Sequence, residues 1–175
     1  MPTSSVLGKD FTIEWIKQTP NLNNILDIGA GEGTYPNLCK NENQLLTNSK
    51  WYGVEAWEPY ITEYNLTSLY DEIINQDVRT LKWQSMPNFD LVICGDVLEH
   101  MTKSESQSVV KNALSKSRYL LISIPIVRAK QGAVGGNPFE IHVKDNWSHE
   151  EVMDSFSNII ESHTTKRIGV YILKS

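Results

Sequence analysis

Three glycines at alternate positions, Gly29, Gly31 and Gly33, follow directly on the apolar residues Ile25, Leu26 and Ile28, which flank a single acid, Asp27. Glycine at such spacing permits positive φ and brings bare backbone against a ligand, where a side chain would block the approach. Three further acids, Glu55, Asp77 and Asp96, stand at or near the ends of later apolar runs. A carboxylate offers two acceptor oxygens, so one acid at a strand end can take both hydrogens of a vicinal diol, whereas a phosphate would call for donors there. The pattern therefore points to a positively charged ligand carrying hydroxyls and amines. Asp96 also opens the run Asp96-Val97-Leu98-Glu99-His100, and another histidine, His142, lies in a later stretch without periodicity. Carboxylates and imidazoles at these positions could move a proton or ligate a metal ion, since i, i+3, i+4 spacing sets Asp96, Glu99 and His100 on one face of a helical turn.

The elements that must position these residues alternate in type. Leu26 and Ile28, Trp51 to Glu55, Glu72 to Asn75, Phe89 to Cys94 and Tyr119 to Ile124 read as five strands, the fourth a continuous apolar run of the kind buried on both faces of a parallel sheet. Between them the pattern predicts a helix from Thr34 to Leu46, with Pro36 in its first turn. A second, opened by Pro59, carries Ile61, Tyr64, Leu69 and Tyr70. A third has a capping box of Ser104 with Gln107 and apolar positions Val109, Val110, Ala113 and Leu114. Ser148 with Glu151 makes a similar box before Val152, Met153 and Phe156, and Ile159 to His163 with Arg167 to Leu173 reads as an antiparallel hairpin. The expected fold is α/β, a doubly wound Rossmann-like, mostly parallel sheet of about seven strands with an antiparallel C-terminal hairpin. Residues 1–175 form one expected domain, in which 1–20, with a short helix over Phe11 to Lys17, cover the pocket and 125–147 make a lid-like connection. Ligands of such sheets bind beyond the carboxyl ends of the strands, where the acids fall.

Composition narrows the classes. Forty per cent hydrophobic and 21% charged residues suit a globular domain, and no apolar run is long enough to span a bilayer. The sequence before Gly8 lacks the pattern of a signal peptide, so the cytoplasm is the expected location. Cys39 and Cys94 have no metal spacing and are read as reduced. A net charge of −5 argues against a protein that coats nucleic acid, although a local basic patch leaves nucleic acid open as an acceptor. Trp51, Trp57, Trp83 and Trp147 are read mostly as core or ring packing, and Arg128 and Lys130 as a solvated basic turn.

Taken together, the motifs resemble those of class I S-adenosylmethionine-dependent methyltransferases from about Ile25 to Leu173. ILDIGAGEG resembles the first motif of that family, VEAWEPY the second, NQDV the third and FDLVICGDVLEHM the fourth, with YLLISIP as the following strand. The resemblance implies that backbone of Gly29, Ala30, Gly31 and Gly33 cradles the methionine part of S-adenosyl-L-methionine while Asp27 holds the loop. It implies that Glu55 accepts from both ribose hydroxyls and Asp77 from the adenine amine, that Ala56, Trp57 and Val78 pack on the ring, and that the Gly95 carbonyl takes the methionine amine. Asp96 completes the expected cofactor-binding set, and His142, His100 and Glu99 are the expected catalytic residues, a histidine assisting deprotonation. The glycine pattern lacks the third position of a dinucleotide G-x-G-x-x-G, and no Gly-Lys-Ser/Thr follows for a P-loop.

The expected reaction is methyl transfer to a small-molecule or sugar-like acceptor, on oxygen or nitrogen, by an enzyme that is a monomer or homodimer and needs no metal. One alternative starts from Asp96, Glu99, His100 and His142, which resemble the Glu-x-x-Glu-His and distal His of metal-dependent O-methyltransferases acting on RNA 3′ ends or quinone precursors, with Asp in place of the first Glu. Alternatives of another class are an NAD(P)-binding oxidoreductase domain and a non-catalytic nucleotide-binding protein.

Overall fold

The structure, a computed structural model, describes residues 5–175. Its frame is a seven-stranded sheet built from β1 (Asn24–Ile28), β2 (Lys50–Glu55), β3 (Glu72–Asn75), β4 (Phe89–Gly95), β5 (Ser117–Pro125), β6 (Ile159–Thr164) and β7 (Ile168–Lys174), in the order β3-β2-β1-β4-β5-β7-β6. The first five strands run parallel, while β7 pairs antiparallel with both β5 and β6. This is the expected doubly wound sheet with its antiparallel hairpin. The strand order reverses between β1 and β4, the place where two chain crossovers diverge and leave a crevice beyond the strand ends.

Two apolar layers cover the sheet, and the period of two along each strand assigns residues to them. Leu26 and Ile28 face one side with Val92, Cys94, Leu120 and Ile122, where α4 (Lys103–Leu114) contributes Val109, Val110 and Ala113 and α5 (His149–Ser155) contributes Val152. Ile25 faces the other with Leu91, Ile93 and Leu121, where α1 (Lys9–Gln18) contributes Ile13, Trp15 and Ile16. Trp51, Trp83 and Trp147 are buried in these layers, and both cysteines are buried free thiols. No helix among the described residues is long and apolar enough to cross a membrane.

The helix boundaries depart from expectation at three places. The segment expected to be helical from Thr34 to Leu46 is one α turn, α2 (Thr34–Pro36), running into a π-helical turn over Asn37–Glu42. Positive φ at Gln44 (55°) and Leu46 (53°) then carries the chain away as a turn, yet Leu38, Leu45 and Leu46 still pack on the second layer. After Pro59, α3 (Glu58–Glu63) stops where Asn65 takes φ 49°, so Leu69 and Tyr70 arrive by a short 3₁₀ turn rather than by a continued helix. The capping box of α4 is Thr102 with Glu105, not Ser104 with Gln107: Thr102 Oγ1 accepts from the Glu105 N–H and the Thr102 N–H donates to Glu105 Oε2. At α5 the expected cap holds, with Ser148 Oγ accepting from the Glu151 N–H at 3.1 Å.

Candidate functional site

A cavity of about 280 Å³ opens at the carboxyl ends of β1, β2 and β4, at the reversal of strand order. One wall is the glycine turn. Gly29 and Ala30 both donate to the Val54 carbonyl, at 2.9 and 3.1 Å, which pins the turn to β2. Gly29 has φ 70°, and a Cβ built on it would lie 2.6 Å from Val97 Cγ2. A side chain there would be strained by its backbone and would collide with the opposite side of the crevice, so the turn presents bare backbone.

Glu55, at the end of β2, is 5% exposed and held on both oxygens: Oε2 accepts from the Gly31 N–H at 2.9 Å and Oε1 from the Trp57 N–H at 2.8 Å. Burial raises its pKa while these backbone donors pull it back. Beyond β3, Asp77 accepts from the Arg79 backbone N–H and guanidinium, with Nη2 at 2.6 Å. Burial acts to raise its pKa, but the bonds and charge of Arg79 outweigh it and the net shift is down, so Asp77 stays an anion. Ala56 and Val78 supply apolar lining beside these acids.

The other wall comes from the residues after β4 and from the long connection after β5. Asp96, with φ 56°, accepts from the Ser5 N–H at 2.7 Å and from Ser123 Oγ at 3.3 Å. Glu99 is 2% exposed, and its Oε2 has no hydrogen-bond partner among the described residues. Burial, with Asp96 and Glu140 nearby, pushes Glu99 well above the usual carboxylate range. His100 Nδ1 lies 3.3 Å from the Ile141 carbonyl, and its ring meets that of His142 edge-on at 4.8 Å. Burial and the neighbouring His142 lower the His100 pKa, which keeps this imidazole neutral. His142 Nδ1 contacts the Ala129 carbonyl. A carbonyl can only accept, so Nδ1 of His142 carries a proton, and in the neutral imidazole the lone pair is on Nε2. Glu140, which also lines the cavity, accepts from Gln131 Nε2 at 3.1 Å and from the Tyr60 hydroxyl at 3.3 Å.

Of the residues expected at the site, Gly29, Ala30, Gly31, Glu55, Ala56, Asp77, Val78, Gly95, Asp96, Glu99, His100 and His142 line this cavity. Asp27, Gly33 and Trp57 do not. Asp27 shares a strand face with Ile25, so alternation turns it away from the crevice, where the Tyr70 hydroxyl donates to it at 2.6 Å. Gly33 precedes α2 and turns the chain, donating to the Ala30 carbonyl. Trp57 contributes its backbone N–H to Glu55. Three acids ending β2, β3 and β4, rather than four, therefore gather at the crevice. Tyr35, Gln131 and Glu140 line it without having been singled out from sequence. Tyr35 follows the glycine turn by two residues and Glu140 stands beside His142, and only those positions could have drawn attention to them.

Residues 26–116, about half of the chain, match the methyltransferase domain family, to which the protein belongs. It is an S-adenosylmethionine-dependent methyltransferase of class I, as the order of its motifs along the sheet indicates. No curated protein matches it significantly. Among solved structures it is similar to the N-terminal domain of EvdMO1 with SAH bound, at TM-score 0.70 and 17% identity over 98% of this chain and 82% of that one. It is also similar to an S-adenosylmethionine-dependent methyltransferase from Clostridium acetobutylicum, at TM-score 0.69 and 14% identity over 94% and 89% of the two chains. A third is the magnesium protoporphyrin IX methyltransferase from Synechocystis with bound SAM, at TM-score 0.65 and 18% identity over 95% and 77%. At such identities the likeness is one of fold.

The site's own chemistry fits this cofactor. The glycine turn offers the bare backbone that a Cβ would fill, and Glu55 and Asp77 put two carboxylate acceptors, the kind of group that hydroxyls and amines bond, on the same cavity.

Proposed function

We propose that the protein methylates a hydroxyl, or an amine, of a small polar acceptor of sugar-like character. The observation that carries the reading is the presence of two imidazoles, His100 and His142, on the same cavity as Glu55 and the glycine turn. Bound S-adenosylmethionine supplies a methyl group already activated by its sulfonium. What remains for the chain is to hold the acceptor, exclude water and take one proton. His142, with Nε2 bare, is suited to accept that proton, and neutral His100 stands against it. Glu99 and Glu140 on the cavity wall favour an acceptor bearing hydroxyls or amines over an anionic one, and the exposed Arg128 is paired with Asp145 at 3.4 Å. In this reading the chain is one methyltransferase domain acting in the cytoplasm as a monomer or homodimer, with 125–147 as lid and residues 5–20 as cover, the first four residues of the expected cover segment lying outside the described residues. Incubation of the protein with isotope-labelled cofactor and separate pools of metabolites and RNA, followed by mass spectrometry, tests it. Label in a polyhydroxylated metabolite is the expected result, and label confined to RNA would overturn it.

A second reading is favoured by one arrangement. Single donor atoms of Glu99, His100 and His142 lie within 4.8 Å of one another, and the unpartnered Glu99 oxygen is among the buried atoms there. Ligands around a divalent ion such as zinc stand about 3 to 4 Å apart, so small rotations would close the set. A cation held there would polarise the acceptor hydroxyl, as in a metal-assisted O-methyltransferase acting on RNA ends or quinone-type acceptors. Asp96, the fourth expected ligand, is taken up by Ser5 and Ser123. Full activity in the presence of a chelator would remove this second reading.

A further inference from the structure

The β2 side of the cavity and the long connection after β5 are joined through a residue absent from the cavity lining. Tyr60, in α3, is 7% exposed, and its hydroxyl donates to Glu140 Oε1 at 3.3 Å. On one side Tyr60 is tied to the acid that ends β2: its N–H donates to the Trp57 carbonyl at 3.1 Å, and the Trp57 N–H donates to Glu55 Oε1 at 2.8 Å. On the other side Glu140 is tied to the rest of the connection. Gln131 Nε2 donates to the Glu140 carbonyl at 2.8 Å and to its carboxylate at 3.1 Å, and the His142 N–H donates to the Gln131 carbonyl at 3.1 Å. One hydroxyl thus bridges Glu55 and the segment that carries His142.

That bridge works against a repulsion. Glu55 and Glu140 both line the cavity, and burial, then the charge of Glu140, act to raise the Glu55 pKa. Two carboxylates facing one cavity repel, and the repulsion grows as water is excluded. Burial raises the pKa of the Tyr60 hydroxyl and the charges of Glu140 and Glu55 add to that shift, so the hydroxyl keeps its proton and donates. Residues 131–142 have only an isolated bridge and a 3₁₀ turn of their own, so bonds from outside decide how firmly they dock. A ligand whose hydroxyls bond Glu55 offsets part of its charge. By filling the space between the walls, that ligand also gains contacts that exist only while the connection is docked, which is the difference in affinity that shifts an equilibrium.

We propose that Tyr60 is a positioning residue that couples the two walls: through Glu140 it holds residues 131–142, and with them His142, against the cavity, and cofactor bound at Glu55 strengthens that hold. The wall that receives the acceptor is therefore completed after the cofactor has entered. This rests on the cofactor reading given above and on neither reading of the acceptor. By linkage, the docked connection in turn raises affinity for the cofactor.

The test is amide hydrogen exchange of the full chain, with and without saturating S-adenosylhomocysteine, in wild type and in Tyr60→Phe, which removes the hydroxyl and keeps the ring. The readout is the ratio of exchange rates without and with ligand, at residues 29–33 and at 131–142. In wild type the ligand should slow both regions at least about fivefold, the low end of ordinary coupling between sites. In Tyr60→Phe the glycine turn should slow as before and 131–142 by less than about twofold. A hydroxyl that served the fold alone would, when removed, speed exchange in 131–142 with and without ligand alike and leave the ratio unchanged, and that result would overturn the inference. So would a wild-type connection whose exchange ignores a ligand that slows the glycine turn. Glu140→Ala, which removes the other end of the bond, gives the same comparison should Tyr60→Phe fail to fold. Failure of the ligand to slow residues 29–33 in wild type would overturn the cofactor reading, and this inference with it.

Discussion

Glu55 Oε2 accepts the backbone N–H of Gly31 at 2.9 Å, so the acid that ends β2 also fastens the glycine turn that follows β1. Because Trp57 binds its other oxygen, the carboxylate is oriented before any ligand arrives. Glu55→Gln puts an amide N–H against one of these two backbone donors and removes an acceptor. Hydrogen bonds to a charged acceptor are worth about 1.5–3 kcal/mol, so affinity for S-adenosylhomocysteine should fall at least tenfold by titration calorimetry. A change below threefold would mean that Glu55 serves the turn and not the ligand.

Gly29 predicts a stability effect that can be separated into parts. Gly29→Ala combines φ 70° with a contact 2.6 Å from Val97 Cγ2, and should cost about 1–3 kcal/mol. Gly135→Ala, at φ 57° with nothing within 4 Å, isolates the backbone strain, and Gly132→Ala, in open space without positive φ, should be nearly neutral. Urea unfolding of the three variants should rank them in that order of loss.

Asp27 predicts a pH dependence. Burial pushes its carboxyl up to about 7, with the Tyr70 hydroxyl and Lys9 opposing and Glu55 reinforcing the shift. Between about pH 4 and 7 the native protein holds a proton there that the unfolded chain has released. Stability from this group therefore falls as pH rises, by up to about 1.4 kcal/mol per unit. Asp27→Asn keeps an acceptor for Tyr70 and has no proton to lose, so its stability relative to wild type should climb between about pH 5 and pH 7. Parallel curves for the two proteins would contradict the raised pKa.

Glu140 joins the long connection to α3. Its carboxylate accepts from Tyr60, and Gln131 Nε2 reaches both its carboxylate and its carbonyl, the latter at 2.8 Å. Glu140→Ala should raise amide hydrogen exchange across residues 131–142, including the His142 N–H that donates to the Gln131 carbonyl, and leave the central strands as protected as before. Unchanged exchange would show that the segment is held by its backbone alone.

The sheet was legible because Phe89 to Cys94 and its companions are apolar runs whose burial on both faces leaves no other use for them. Helix ends were harder for a physical reason. The sequence offers two overlapping caps, Thr102-x-x-Glu105 and Ser104-x-x-Gln107, and the one realised places the charged Glu105 in the first turn, where the helix dipole favours it. After Pro36 the stretch Asn37-Leu38-Cys39-Lys40-Asn41-Glu42 offers only Leu38 and Cys39 as an apolar stripe, and it closes in a π turn. At the site, Glu55 and Asp77 were readable because an acid at a strand end has one place to point. Asp27 misled because it lies within β1, one residue short of the switch to the turn, and faces Tyr70. Glu140 depends on how a distant segment folds back, which local pattern does not encode.

The two walls of the cavity have different claims on the rest of the molecule. The glycine turn, Glu55 and Asp77 are attached to β1, β2 and β3, so an exchange there disturbs the sheet. Gln131, Phe139, Glu140 and His142 belong to a connection whose own order, among the described residues, is one isolated bridge between Val134 and Asn137 and one 3₁₀ turn over Pro138–Glu140. On the proposed assignment of the walls, an exchange in that connection would change what can receive the methyl group while the cofactor half and the sheet keep their form.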